Sequence, residues 1–166
     1  KNLETFIDKY TKWASYTPEL NSVLIVYASV YGGTQNAAEI LSTQLAQYGV
    51  KDIKMYDVSV THPSYILADA FKYSHIVFAS TTYNNGIFVN MENFLHDIVA
   101  HNLQNRKVAV IENGSWAPTC GKLMTELISK LKNTEIIGSN VMIKSAVKAD
   151  KTAELDSLAK AIADSI

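Results

Sequence analysis

Two stretches of the chain concentrate hydroxyl, amide and glycine groups without a lysine or arginine. They are Ser29-Val30-Tyr31-Gly32-Gly33-Thr34 and Ser80-Thr81-Thr82-Tyr83-Asn84-Asn85-Gly86. Each follows an apolar run that reads as a buried strand, residues 23–28 and 76–79, and each precedes a segment with helical spacing. A loop of this kind, between a strand and a helix N-terminus, cradles a phosphate with backbone N–H groups and side-chain hydroxyls. Two such loops on neighbouring strands of one sheet frame a crevice of nucleotide size. A third loop, Asn113-Gly114-Ser115-Trp116, follows another apolar run and falls at the same edge of the sheet. Tyr83 and Trp116 would then flank the crevice from two sides. Aromatic walls beside an uncharged phosphate cradle suit a planar heteroaromatic ring with a phosphate tail. Flavin mononucleotide (FMN) meets that description. A dinucleotide fits worse, because the chain has no G-x-G-x-x-G and no acidic residue placed to hold an adenosine ribose.

Other chemistries fail on specific counts. A P-loop needs lysine after its second glycine, whereas Gly33 is followed by Thr34 and Gln35. A phosphoacceptor receiver needs clustered aspartates at strand ends, and the first strand ends in Ala28-Ser29. No G-x-S-x-G nucleophile elbow occurs. The four histidines, His62, His75, His96 and His101, form no i, i+4 pair and read as lacking carboxylates at ligand spacing, so no metal site is expected. No catalytic residue is expected either. Cys120 at a helix start reads as a small structural residue, the alternative being a thiol of lowered pKa. Tyr27, Tyr56 and Phe78 read as core or sheet-edge packing.

The elements that must hold these loops follow from the hydrophobic pattern. Strands are predicted at 22–28, 53–56, 75–80, 108–112 and 136–143, and helices at 34–48, 64–72, 91–102, 120–132 and 151–166. Ala37, Ile40, Leu41 and Leu45 share one helical face, and Gly49 stops that helix. Strands that are continuously rather than alternately apolar are buried on both faces. The fold class is therefore α/β, a three-layer doubly wound domain with a five-stranded parallel sheet in the order 2-1-3-4-5. An additional N-terminal helix carries Leu3, Phe6, Ile7, Tyr10 and Trp13 on one stripe and ends at Tyr16-Thr17-Pro18. It reads either as a helix packed on the sheet periphery or as a connector from an upstream domain. The domain assignment is residues 1–20 as connector helix and 21–166 as the FMN-binding domain. The initial lysine favours a fragment of a longer protein.

Composition bounds the partners. With 166 residues and 48% hydrophobic content the chain suffices for one continuous core. A formal net charge of −1 provides no electrostatic footprint for nucleic acid or an anionic membrane. One cysteine excludes an internal disulfide framework. No apolar run reaches the roughly 18 residues of a membrane-spanning helix. The N-terminus has no signal-type apolar core, so the cytoplasm is the expected compartment.

At the loops a resemblance emerges. Ser29-Val30-Tyr31-Gly32-Gly33-Thr34 resembles the flavodoxin phosphate loop, [ST]-x-[TY]-G-x-T. Thr82-Tyr83-Asn84-Asn85-Gly86 with Phe88 resembles the second FMN loop of the flavodoxin-like domain in flavodiiron proteins. Tyr56-Asp57-Val58-Ser59 and the entry helix from Tyr10 to Trp13 are similar to that subfamily too, so the likeness spans the chain. It implies that Ser29, Tyr31, Gly32, Gly33 and Thr34 hold the phosphate. It likewise implies that Thr81, Thr82, Tyr83, Asn84, Asn85, Gly86, Asn113, Gly114, Ser115 and Trp116 enclose the isoalloxazine ring, with Tyr83 or Trp116 stacked on it. In the resembling proteins a glycine of the second loop lets a peptide turn its carbonyl toward flavin N5, which makes Gly86 the expected hinge. The chain departs from the family in four places: Gly33 replaces an asparagine, Thr81 a proline and Val89 another proline, and Asn113-Gly114-Ser115-Trp116 stands in place of a more glycine-rich turn.

The resemblance covers one module only. The metallo-β-lactamase-like domain of flavodiiron proteins, with its H-x-E-x-D ligands, has no counterpart in these residues. The implied role is an electron relay, from a rubredoxin-like donor or an NAD(P)H reductase to a diiron site on that other domain. A cleft without cations should disfavour an anionic reduced flavin. Two alternatives stand beside the relay: a free-standing flavodoxin, usually strongly acidic because it must steer to partners, and a flavodoxin-like NAD(P)H-dependent quinone or flavin reductase. The oligomeric state, including a homodimer, is left open.

Overall fold

The apolar runs become strands of one sheet because both of their faces have helices to bury against. The computed structural model describes residues 2–166 and contains helices α1 (Leu3–Ala14), α2 (Gly33–Gln47), α3 (Pro63–Lys72), α4 (Val89–Ala100), α5 (Cys120–Ile128) and α6 (Ala149–Ala163). The strands are β1 (Leu20–Ala28), β2 (Lys54–Asp57), β3 (Tyr73–Tyr83), β4 (Gly86–Ile87), β5 (Arg106–Asn113), β6 (Thr134–Ile136) and β7 (Val141–Ile143). They are ordered β2-β1-β3-β5-β6, with β4 hung on β3 and β7 on β5. All pairings are parallel except the β3–β4 hairpin.

Alternate residues of the central strands feed two cores. Leu24, Val26, Ile76, Phe78, Val108 and Val110 meet Ile66 of α3, Phe94 and Ile98 of α4, and Met124 and Ile128 of α5. Val23, Ile25, Val77, Ala79, Ala109 and Ile111 meet Leu41 and Leu45 of α2 and Leu155, Leu158 and Ile162 of α6. The expected doubly wound topology is thus present, since the predicted order 2-1-3-4-5 is the same path once the short β4 is inserted.

Besides the added β4, the fifth strand and α5 differ from expectation, and α1 forms without burying its stripe. The fifth strand, expected over 136–143, is split: β6 pairs Arg106 to Val108, β7 pairs Ile111 to Asn113, and Gly138 at φ 68° breaks the run between them. Helix α5 ends at Ile128 rather than 132, its last turn giving way to tight turns at Lys130 and Leu131 before Asn133 at φ 50°. Helix α1 forms as expected but buries none of its residues, so its apolar stripe does not pack on the sheet. Its base is tied down instead. Thr17 N–H reaches the Lys12 carbonyl, the Tyr16 and Phe71 rings lie 5.8 Å apart, and Arg106 donates to the Tyr16 carbonyl at 2.8 Å.

Candidate functional site

The chain runs from β1 outward to β2, then returns across β1 to β3, which leaves a crevice where the winding reverses. A cavity of about 220 Å³ opens there, at the carboxyl ends of β1, β3 and β5. From the first loop Ser29, Val30, Tyr31, Gly33 and Thr34 line it; from the second, Thr81, Thr82 and Tyr83; from the third, Asn113, Gly114 and Ser115. Every lining residue is uncharged. No group of three or more His, Cys, Asp or Glu side chains converges among the described residues.

The first loop is a helix N-terminus shaped by two glycines. Gly32 is the N-cap of α2 at φ 83°, a left-handed conformation that glycine adopts without Cβ strain. It has no side chain to cap the helix, so the first-turn N–H groups face outward with the positive end of the helix dipole. Gly33 is required for a different reason: a Cβ there would fall 1.9 Å from the Ser145 carbonyl oxygen. Thr34 is 1% exposed, and its Oγ1 accepts from Asn113 Nδ2 at 3.3 Å. The Ser29 hydroxyl oxygen is buried and has no partner among the described residues.

The second loop is a tight hairpin. Tyr83 pairs with Gly86, and the two residues between them, Asn84 at φ 48° and Asn85 at φ 59°, both sit in the left-handed region of a type I′ turn. The demand for positive φ therefore falls on the two asparagines. Gly86 itself is outside that region, and a Cβ on it would meet only the Tyr83 carbonyl at an ordinary 3.5 Å. The hairpin is stitched to the third loop. Thr82 Oγ1 accepts the N–H groups of Thr119 and Cys120 at 3.1 and 3.2 Å, capping α5, and the Thr119 hydroxyl donates to the Asn85 carbonyl at 2.9 Å.

Of the expected site residues, Gly32, Asn84, Asn85, Gly86 and Trp116 stand outside the cavity wall. Gly32 and the two asparagines shape the loops that form it. Trp116 is 98% exposed, whereas Tyr83, edge-on to Phe88 at 6.0 Å, does line it. The Asn113 side chain turns inward to Thr34 and Ser145. Ser145 is the lining residue that the sequence reading missed. It comes two residues after β7, near the same edge of the sheet, and that position was the available signal, but a lone serine between Lys144 and Ala146 forms no cluster.

Cys120 is buried and its Sγ donates to the Ser80 carbonyl at 3.3 Å. Burial pushes the thiol up from its ordinary pKa, so the residue is structural and not a thiolate nucleophile. One reading of the histidines needs correction: Asp97 lies one helical turn before His101, with Nδ1 and Oδ1 3.2 Å apart.

The uncharged, hydroxyl-lined cleft lies at the switch point of a doubly wound α/β sheet, the place where folds of this class take nucleotide-type ligands. The flavodoxin family model matches residues 25–164, and the chain belongs to that family. It is similar to the rubredoxin-oxygen oxidoreductase of Megalodesulfovibrio gigas, 23% identical over 157 residues that make up 95% of this chain and 38% of that protein. The solved rubredoxin oxygen:oxidoreductase of Desulfovibrio gigas superposes with a TM-score of 0.89 at 23% identity, over 97% of this chain and 40% of that one. A Streptococcus pneumoniae flavodoxin superposes at 0.74 and 20% identity, over 87% of this chain and 99% of that one. The chain thus spans about two fifths of the oxidoreductases it matches and shares its fold with free flavodoxins.

Proposed function

We propose that the cleft binds FMN and that the chain is the electron-transfer module of a flavodiiron-type oxidoreductase. The observation that carries this reading is a donor set without acceptors. The Ser29 hydroxyl is buried and unpartnered, the Thr34 hydroxyl accepts a bond and has no protein acceptor among the described residues, and both stand beside the open first turn of α2. Such a set fits a phosphate held by hydroxyls, peptide N–H groups and the helix dipole, with no lysine or arginine needed. FMN, when bound, supplies one- and two-electron chemistry.

The residues divide the work. Ser29, Val30, Tyr31, Gly32, Gly33 and Thr34 wrap the phosphate, and Tyr83 offers a ring face to the isoalloxazine. Thr81, Thr82, Asn84, Asn85, Gly86, Gly114 and Ser115 enclose its polar edge, and Asn113 supports Thr34. Trp116, in solvent, swings over the ring or meets a partner. The likeness to rubredoxin-oxygen oxidoreductase over two fifths of its length supports a module reading, with electrons entering from a rubredoxin-like protein or an NAD(P)H reductase. They would leave to a diiron, metallo-β-lactamase-like domain. Residues 1–20 then serve as the connector, and the unburied stripe of α1 suits a helix that meets another domain. The free-flavodoxin alternative is weakened by a net charge of −1, which gives little long-range steering. The cytoplasm suits this chemistry, with its reducing conditions.

Titration of the apoprotein with FMN and with riboflavin tests the cradle. FMN is expected to bind more tightly, and Thr34→Ala to weaken FMN by about 1.5–3 kcal/mol, the range for a hydrogen bond to a charged group. Equal affinity for riboflavin and FMN would remove the phosphate assignment.

A further inference from the structure

We infer that Asn113 is a positioning residue that fixes the direction of the Thr34 hydroxyl proton by clamping the Ser145 main chain, and that this sets the selectivity of the cleft for a phosphorylated ligand. The inference rests on the FMN reading of the cleft.

The clamp begins with the Asn113 side-chain amide. Its Oδ1 accepts the Ser145 N–H at 2.9 Å, and its Nδ2 donates to the Ser145 carbonyl at 3.1 Å. This two-point pairing decides which end of the amide is oxygen, because the reverse orientation would set oxygen against carbonyl and N–H against N–H. One Nδ2 hydrogen is thereby committed to Ser145. The other goes to Thr34 Oγ1 at 3.3 Å.

The consequence falls on Thr34. Nδ2 has no lone pair to accept with, so the Thr34 hydroxyl is forced to accept from Asn113 and to send its own proton elsewhere. The residue is 1% exposed and lines the cleft, and no protein group takes that proton among the described residues. The proton is therefore held ready for an anionic acceptor inside the cavity. If the partner atom at 113 were an acceptor, Thr34 would donate inward and lose that capacity.

The clamp holds the Ser145 main chain in a demanding geometry. Ser145 is held at φ 65°, a left-handed conformation for a non-glycine residue, and its carbonyl is pressed over Gly33 where no Cβ would fit. Its hydroxyl lies 3.0 Å from that of Ser115, which joins the loop after β7 to the third loop. Asn113 thus links the phosphate loop, its own loop and the loop after β7 through one buried side chain.

A double-mutant cycle measures the clamp: Asn113→Ala, Thr34→Val and the pair, each titrated as apoprotein with FMN and with riboflavin by quenching of flavin fluorescence. Asn113→Ala leaves the Thr34 hydroxyl able to donate but unoriented and the Ser145 main chain unclamped, and is expected to cut the FMN-over-riboflavin affinity ratio by about five- to tenfold, as for loss of one neutral hydrogen bond. In the Thr34→Val background the same change should move the ratio by less than about twofold, because the hydroxyl it orients is gone. If Asn113→Ala does not fold, Asn113→Ser carries the same test, since its hydroxyl is too short to bridge Thr34 and Ser145. An unchanged ratio in the position-113 variant, or losses at 113 and 34 that simply add, would overturn the clamp while leaving the phosphate cradle intact. An unaltered protein that binds riboflavin as tightly as FMN would overturn the FMN reading and the clamp with it.

Discussion

Gly33 shows how much a single position is constrained by its neighbours rather than by its own loop. Because a Cβ would fall 1.9 Å from a backbone oxygen, even alanine forces the Ser145 loop outward. Gly33→Ala is expected to destabilise the fold by about 1–3 kcal/mol, the cost of overpacking a well-filled site, as read by urea denaturation. That constraint was not legible in the sequence, where Gly33 read as a phosphate-loop residue in place of an asparagine and nothing pointed to the Ser145 backbone. The three loops were legible, because hydroxyls, amides and glycines clustered directly after apolar strands. In the second loop positive φ falls on Asn84 and Asn85, since the two-residue hairpin turn puts them, and not Gly86, between the paired residues. His75 supplies a pH signature at the same scale. It is 2% exposed, its ring nitrogens contact the Ser74 and Ser165 hydroxyls, and burial, aided by Lys107, lowers its pKa from 6.5 to about 4. The unfolded chain takes up a proton that the folded chain refuses. Stability is therefore full above pH 6.5 and lost as pH falls toward 4, by about 3 kcal/mol for a shift of this size. Urea midpoints measured across that window should fall in the native chain and flatten in His75→Gln.

Among the elements, the buried strands were the most readable, because parallel strands covered on both faces carry uninterrupted apolar runs. The split of the last strand was not readable, since it depends on Gly138 adopting positive φ and on Asn140 leaving the ladder to bond the buried Glu112 carboxylate. Strand β4 was missed because a two-residue strand has no period. Arg106 was silent in the sequence, yet it is 1% exposed and ties three elements together. Its guanidinium donates to the Ala70 and Phe71 carbonyls in the last turn of α3, to Tyr16 in the connector after α1, and to Gln104 and Asn105 before β5. Burial lowers its pKa to about 10, so it remains charged at neutral pH, compensated by carbonyl oxygens. Arg106→Leu should cost about 3–5 kcal/mol, because buried carbonyls lose a charged donor at about 1–3 kcal/mol each. Deletion of residues 2–14 removes the exposed Trp13 and Lys9 contacts to Glu19 and the Lys12 carbonyl that accepts from Thr17, but no buried residue, and should lower the melting temperature by no more than about 4 °C. Scanning calorimetry of both variants checks the contrast, and a large loss on deletion would mean that α1 supports the domain.

For the molecule as a whole, uncharged walls and near-neutral charge suit an electron carrier that meets its acceptor through attachment rather than steering. On the proposed reading the chain's own chemistry is that of a bound flavin. A slow reaction of reduced flavin with O2 is expected from an open cleft and says little. The direct measurement is anaerobic: the FMN-loaded chain is photoreduced, analysed for metal, and mixed in turn with NO and with an electron-accepting protein. Prompt, stoichiometric oxidation by the acceptor with little or no NO consumption is the predicted result. Two bound irons per chain, or rapid NO turnover, would contradict the account of this polypeptide as an electron relay.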